Sequence, residues 1–252
     1  MRCLQKFKWI AFALLIIIIC RDSTAGAAPS GNSAMVVLLH GLGRSARSMV
    51  YMDERLTAAG YTVFNYDYES REKEIASLVD DLHDFIAECC QQEGTTLHFV
   101  THSLGGILVR ALLARKRPGN LGRVVMLSPP NKGSETVDYL GDYTFFEKIF
   151  GPAAMQLGTG PDSFPNRLGP ADFELGIITG DRTIDPVSSW IIPGEDDGKV
   201  AIARTKLEGM ADFMVMDVSH TFIMQKPEVV DEVIHFLQKG KFNRTGELDT
   251  DK

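Results

Sequence analysis

Cysteine is scarce in this chain: four residues in 252, two of which (Cys3 and Cys20) fall within the first 27 positions. The other two, Cys89 and Cys90, are neighbours and cannot staple distant segments, so no disulfide framework holds the fold. An excess of positive charge is also lacking. The formal net charge is −7, which argues against nucleic-acid binding and against electrostatic docking on anionic membranes. Low-complexity tracts and internal repeats are missing as well. Long apolar runs are nearly so, the exception being Trp9 to Cys20. That run of roughly a dozen residues is short against the ~20 needed to span a bilayer.

Arg2, Lys6 and Lys8 precede the run, and Ala25-Gly26-Ala27 follow it. A basic start, a short apolar stretch and a small-residue cleavage site describe a secretory signal peptide over residues 1–27. The protein is therefore expected to be exported, periplasmic or secreted; an uncleaved membrane anchor at residues 9–20 is the alternative. Cleavage removes four cations and one acid, leaving residues 28–252 more acidic still.

Within that mature span, buried-type strands alternate with helical segments. Met35–Leu39, Tyr61–Tyr66, Leu97–Val100, Val124–Leu127, Leu175–Thr179 and Phe213–Val218 read as strands. Ile75, Leu78, Val79, Leu82, Ile86 and Cys89 repeat at helical period, and Pro227 opens a last amphipathic helix carrying Val229, Val230, Val233, Ile234 and Leu237 inward. The polar tail from Lys239 is expected to be loose. This alternation predicts an α/β fold: a mainly parallel sheet with helices on both faces. Residues 131–172 break the pattern with aromatics, prolines and glycines. They are expected to form a helical cap or lid insertion at the carboxyl edge of the sheet, where such folds bind ligands.

The chemistry centres on Thr101-His102-Ser103-Leu104-Gly105-Gly106, between an apolar strand and a strong helix. A serine on a tight strand-to-helix turn is a nucleophile elbow, with Thr101 in place of the usual first glycine. The plain alternative is a serine that only caps the helix, and the hexapeptide alone does not separate the two. A serine nucleophile needs a histidine base held by an acid, in the chain order serine, acid, histidine. Of six histidines, His98 lies in a strand, His102 in the elbow, and His83 and His235 on helices, while His40 precedes the serine. Only His220, after the last strand, is placed to act as base. For the acid, Asp197, Asp181 and Asp185 all qualify, with Asp196 adjacent. Oxyanion donors are expected from the Leu104 amide and from Leu42 in the glycine loop His40-Gly41-Leu42-Gly43.

His-Gly-Leu-Gly, Thr-His-Ser-Leu-Gly-Gly and the late Ser219-His220 together resemble the α/β-hydrolase superfamily, and within it the bacterial lipase and esterase type. Ser128-Pro129-Pro130-Asn131-Lys132-Gly133-Ser134 is similar to a Pro-His-x-Gly-Ser segment of those enzymes. Asp196-Asp197-Gly198-Lys199-Val200 resembles the Asn-Asp-Gly-Leu-Val segment bearing the catalytic aspartate in Pseudomonas/Burkholderia-type lipases. The resemblance thus selects Asp197 as the acid and Leu42 as the second oxyanion donor. Those lipases carry an aspartate calcium ligand two residues after the histidine; here Phe222 stands there, so no metal and no organic cofactor are expected. What the resemblance implies is a serine esterase or lipase acting on a small-molecule or lipid ester, with transient contact at a lipid interface. An acyltransferase or amidase on the same triad, or a hydrolase-like binding protein without turnover, are the alternatives.

Overall fold

The computed structural model describes residues 34–90, 94–141 and 144–244. The expected leader lies outside these residues. Among the described residues, no helix is long and apolar enough to cross a membrane.

Six parallel strands form one sheet in the order β2-β1-β3-β4-β5-β6. They are β1 (Ala34–Leu39), β2 (Thr62–Tyr66), β3 (Thr96–His102), β4 (Leu121–Leu127), β5 (Leu175–Gly180) and β6 (Asp212–Met216). Their run-like hydrophobicity has a direct cause: both faces are covered. Met35, Val37 and Leu39 of β1 enter one core, and Val36 and Leu38 enter the other. The first core is closed by α2 (Ile75–Cys89) and α3 (Leu104–Arg115), the second by α1 (Val50–Ala58) and α9 (Pro227–Lys239).

The helices follow the expected stripes, with local differences. On α9, Phe236 is fully buried and Ile234 only half-buried. Phe242, in the tail expected to be loose, packs against Phe236, and its amide donates to Asp212. The position three residues past the helix is thus pinned to β6. At the end of α2 it is Cys90 that is buried, with Cys89 at the edge, although the helical period put Cys89 on the inward stripe. The two are bonded to each other as a vicinal disulfide. The start of α2 has no cap of its own; the Ile75 amide donates to Gln156 Oε1, 2.9 Å away and 81 residues on.

Gln156 belongs to the insertion between β4 and β5. That segment carries α4 (Glu135–Leu140), α5 (Thr144–Phe150) and α6 (Pro152–Met155). Ala153 and Leu157 enter the core, so part of it completes the sheet's cover. Its base is fixed by Arg110 on α3, a buried guanidinium that donates to the Asn131, Pro165 and Gly169 carbonyls and to Asn131 Oδ1. Burial lowers the Arg110 pKa to about 10, and it remains charged at neutral pH. Two further helices, α7 (Pro186–Ile191) and α8 (Ile202–Thr205), lie between β5 and β6.

One histidine answers a backbone need. The β3–β4 register slips between Leu97 and Phe99, leaving the Arg123 N–H out of the ladder. His98 Nδ1 accepts it at 2.8 Å, as a buried donor requires. The ring is 6% exposed, and burial lowers its pKa to about 4. A depressed folded pKa contributes stability that is present above the unfolded value, ~6.5, and lost as pH falls toward the folded one. Between pH 7 and 4.5 the loss from this group is about 2.5 kcal/mol. Urea midpoints should therefore fall less on acidification in His98→Asn, whose amide oxygen can still take the Arg123 N–H, than in wild type.

Candidate active site

The chain leaves β1, makes β2 on one side of it and returns to make β3 on the other. The crevice at such a switch point, beyond the strands' carboxyl ends, is where open α/β sheets bind ligands. Here Leu39 pairs with Thr101, so the glycine loop after β1 and the turn after β3 emerge side by side.

Ser103 occupies the β3–α3 turn at φ +52°, ψ −118°. A positive φ is strained for any residue with a Cβ. Its hydroxyl makes no capping bond to α3, so the plain capping role is not what holds a serine here. The close approach of α3 to the sheet explains the glycines that follow. A Cβ at Gly105 would come within 2.8 Å of Leu39 Cβ and Leu39 O, and one at Gly106 within 3.2 Å of Met126 Sδ and Pro129 Cβ. Thr101 fits the first position of the motif because Gly106 leaves room: a Cβ there would stand 3.3 Å from Thr101 Oγ1.

Asp197 and His220 come together at the carboxyl edge, from the β5–β6 and β6–α9 connections. Asp197 Oδ2 lies 2.8 Å from His220 Nδ1, and the His220 amide donates to the Asp197 carbonyl at 2.9 Å. The other carboxylate oxygen accepts the Lys199 and Val200 amides at 3.0 and 2.9 Å. Asp197 is 0% exposed. Burial pushes its carboxyl up, but the neighbouring His220 together with the hydrogen-bond donors around the carboxylate holds the pKa below the usual carboxylate value. The Ser128 hydroxyl also faces this carboxylate, from a second positive-φ turn at the end of β4, without reaching hydrogen-bond geometry.

Of the rival acids, two are engaged elsewhere and the third lies exposed. Asp196 accepts Ser189 Oγ and the Gly198 amide, building the turn. Asp185 caps α7 through the Ser188 amide and pairs with Lys199 Nζ. Asp181 is exposed beyond β5. His102, next to the serine, is fully buried and lies 3.0 Å through Nε2 from the His220 carbonyl. A carbonyl only accepts, so Nε2 carries the proton. Burial first, and then His220, hold the His102 pKa well below its usual value, so the ring is a neutral strut under the His220 loop. Gly41 is glycine because a Cβ there would come within 2.6 Å of His102 Nδ1.

Ser103 and His220 line one cavity of about 400 Å³ with Leu42, Arg44, Asp185 and Lys199. Val137, Leu140, Phe146, Phe150 and Leu157 of the insertion supply an apolar wall. Among the described residues, neither the Leu42 nor the Leu104 amide has a protein acceptor. Two free N–H groups thus flank the serine, one at the start of α3, where the helix dipole is positive.

The model of the serine aminopeptidase (S33) family of hydrolases matches residues 30–170, more than half of the chain. The chain belongs to this α/β-hydrolase family. The matched span includes the glycine loop, Ser103 and most of the insertion; Asp197 and His220 lie beyond it. No curated protein matches the chain. Among solved structures, the mature form of the lipase BlEst2 from Bacillus licheniformis is similar, with a TM-score of 0.63 at 19% identity over 84% of this chain and 94% of that one. The phospholipase PlaB of Legionella pneumophila reaches 0.65 at 17% identity, over 84% of this chain and 60% of that one. A monoacylglycerol lipase from Paleococcus ferrophilus reaches 0.53 at 19% identity, over 82% and 94%. At these identities the likeness is one of fold.

Three features of the site were not readable from the sequence. Ser128 and Lys199 fall inside motif segments, but no motif says that the Ser128 hydroxyl faces Asp197 or that Lys199 pairs with Asp185, and Arg44 beside the glycine loop belongs to none.

Proposed function

We propose that the protein is an exported serine hydrolase that cleaves carboxylic esters, with Ser103, His220 and Asp197 as its triad. The observation that carries this reading is a strained serine whose hydroxyl does not cap its helix, sharing a cavity with a histidine whose far nitrogen is bonded to a buried aspartate. In the proposed reaction Ser103 Oγ attacks the ester carbonyl as His220 Nε2 takes its proton. The Leu42 and Leu104 amides hold the oxyanion. His220 then protonates the departing alcohol, and water releases the acyl group by the same steps. Segment 131–172 would act as the cap, its apolar wall holding the acyl chain. Val187 and Trp190 on α7, the latter 81% exposed, with Phe145 and Ile149 on α5, offer apolar contact to a lipid interface.

The family's aminopeptidase description raises a second reading, release of an amino-terminal residue. Recognition of an α-ammonium group calls for a free carboxylate in the cavity. Among the described residues, the acid that lines it is Asp185, which is already engaged by Lys199 and Ser188. Ester cleavage is the better fit.

Hydrolysis of p-nitrophenyl butyrate, p-nitrophenyl palmitate and alanine p-nitroanilide by the purified protein tests the proposal. Butyrate turnover, with fluorophosphonate labelling of Ser103, is the expected result, and the palmitate rate separates lipase from short-chain esterase. Anilide cleavage without ester cleavage would move the reading to the peptidase, and a folded protein that neither labels nor turns over would be a binding protein.

A further inference from the structure

Among the described residues, two cations line the cavity, Arg44 and Lys199, and one of them is paired with a carboxylate. Lys199 Nζ is paired with Asp185. Arg44 is half-buried and has no carboxylate partner among the described residues; one of its nitrogens donates to the Thr221 carbonyl at 3.2 Å. Among the described residues, that leaves four of five N–H donors of a rigid fork without a partner, in the cavity that Ser103 also lines. Burial lowers the Arg44 pKa and no acid opposes the shift. Its charge in turn bears on both His40 and His102, which places the guanidinium close to the residue before Ser103.

A tie to one carbonyl does not require a cation, and desolvating an unpaired charge is costly. The expense is explained if the charge is completed by something that enters the cavity. Arg71 adds to the field: its Cδ would lie 3.7 Å from a Cβ at Gly43, so its exposed side chain passes the same turn. A guanidinium fork matches the two oxygens of a carboxylate or phosphate.

We propose that Arg44 is a specificity residue for esters that carry an anionic group, a carboxylate on the acyl side or a phosphate on the alcohol side. This rests on the ester-hydrolase reading and names its substrate class. Two matched pairs locate the anion: monomethyl against dimethyl adipate for the acyl side, and 1-butyrylglycerol 3-phosphate against 1-butyrylglycerol for the alcohol side.

The readout is the ratio of kcat/KM, anionic over neutral, within each pair. In wild type the ratio should exceed one in one pair and fall as salt is raised. In Arg44→Gln it should drop about tenfold or more, with Arg44→Lys in between, since the charge is kept and the fork lost. If Arg44 only braces the Thr221 loop, both members of a pair decline together and the ratio holds, which overturns the proposal. No anionic preference in wild-type protein in either pair overturns it as well.

Calorimetric binding of the same esters to Ser103→Ala, with and without Arg44→Gln, separates recognition from turnover. An anionic ester that binds about tenfold more weakly without Arg44 supports the assignment even if no ester is hydrolysed, in which case only the reaction would need revision. Equal affinity with and without Arg44 refutes it.

Discussion

Ser103→Ala is expected to lower kcat on p-nitrophenyl butyrate by about 10⁴-fold or more, with fluorophosphonate labelling abolished. The alanine keeps the turn, so the expected loss is of the attacking oxygen rather than of the fold. Ser103→Gly makes the sharper experiment. The serine sits at φ +52°, where glycine is unstrained and other residues are not. Relief of that strain is worth ~1 kcal/mol or more, against a glycine entropy cost of ~0.5–1 kcal/mol. The glycine variant should therefore be as inactive as the alanine variant and at least as stable to urea. A clear stability loss in Ser103→Gly would mean that the serine side chain supports the turn, and the strain would then need another explanation.

The parts legible in the sequence were those set by burial and short-range geometry. A strand covered on both faces must be apolar at most positions, so β1 reads as an unbroken run and β4 as one from Val124 to Leu127. The elbow was legible because α3 crosses the sheet too closely for side chains at 105 and 106. Chain order singled out His220, and the geometry brings it to Asp197.

What the sequence hid were partnerships across long separations. Arg110 looks like an ordinary helical arginine until carbonyls 21 to 59 residues away converge on it. Apart from the resemblance that singled out Asp197, Asp185 and Asp197 were alike as candidate acids, since nothing local says that Lys199 claims one and His220 the other. Phe242 read as tail because the partner that buries it, Phe236, is a matter of how the chain turns after α9. His102 gave no sign that it supports the very loop that carries His220.

Asp197→Asn should reduce kcat by about 10⁴-fold while leaving the fold and Ser103 in place. The reason lies in the hydrogen bonds around the carboxylate. Oδ1 is held by two backbone donors, Lys199 N and Val200 N, and Oδ2 faces His220. An asparagine must keep its oxygen toward the two amides, which turns its NH₂ toward His220 Nδ1. That nitrogen then has to accept, so the ring's proton moves to Nε2, and the nitrogen needed to take the serine proton no longer can. The rival acids provide the controls. Asp181→Asn, at an exposed position, should leave kcat within about threefold of wild type, and Asp185→Asn should loosen α7 and Lys199 without approaching the Asp197 loss. Acid unfolding gives a second readout. The Asp197 pKa is depressed in the folded state, so its pairing contributes stability above the unfolded carboxylate value, ~3.9, that is lost as pH falls through the folded one. That acid-dependent share should be missing in Asp197→Asn and retained in Asp181→Asn. If Asp185→Asn or Asp181→Asn instead showed the large loss in kcat, the Asp197–His220 bond would be structural and the triad would have to be redrawn.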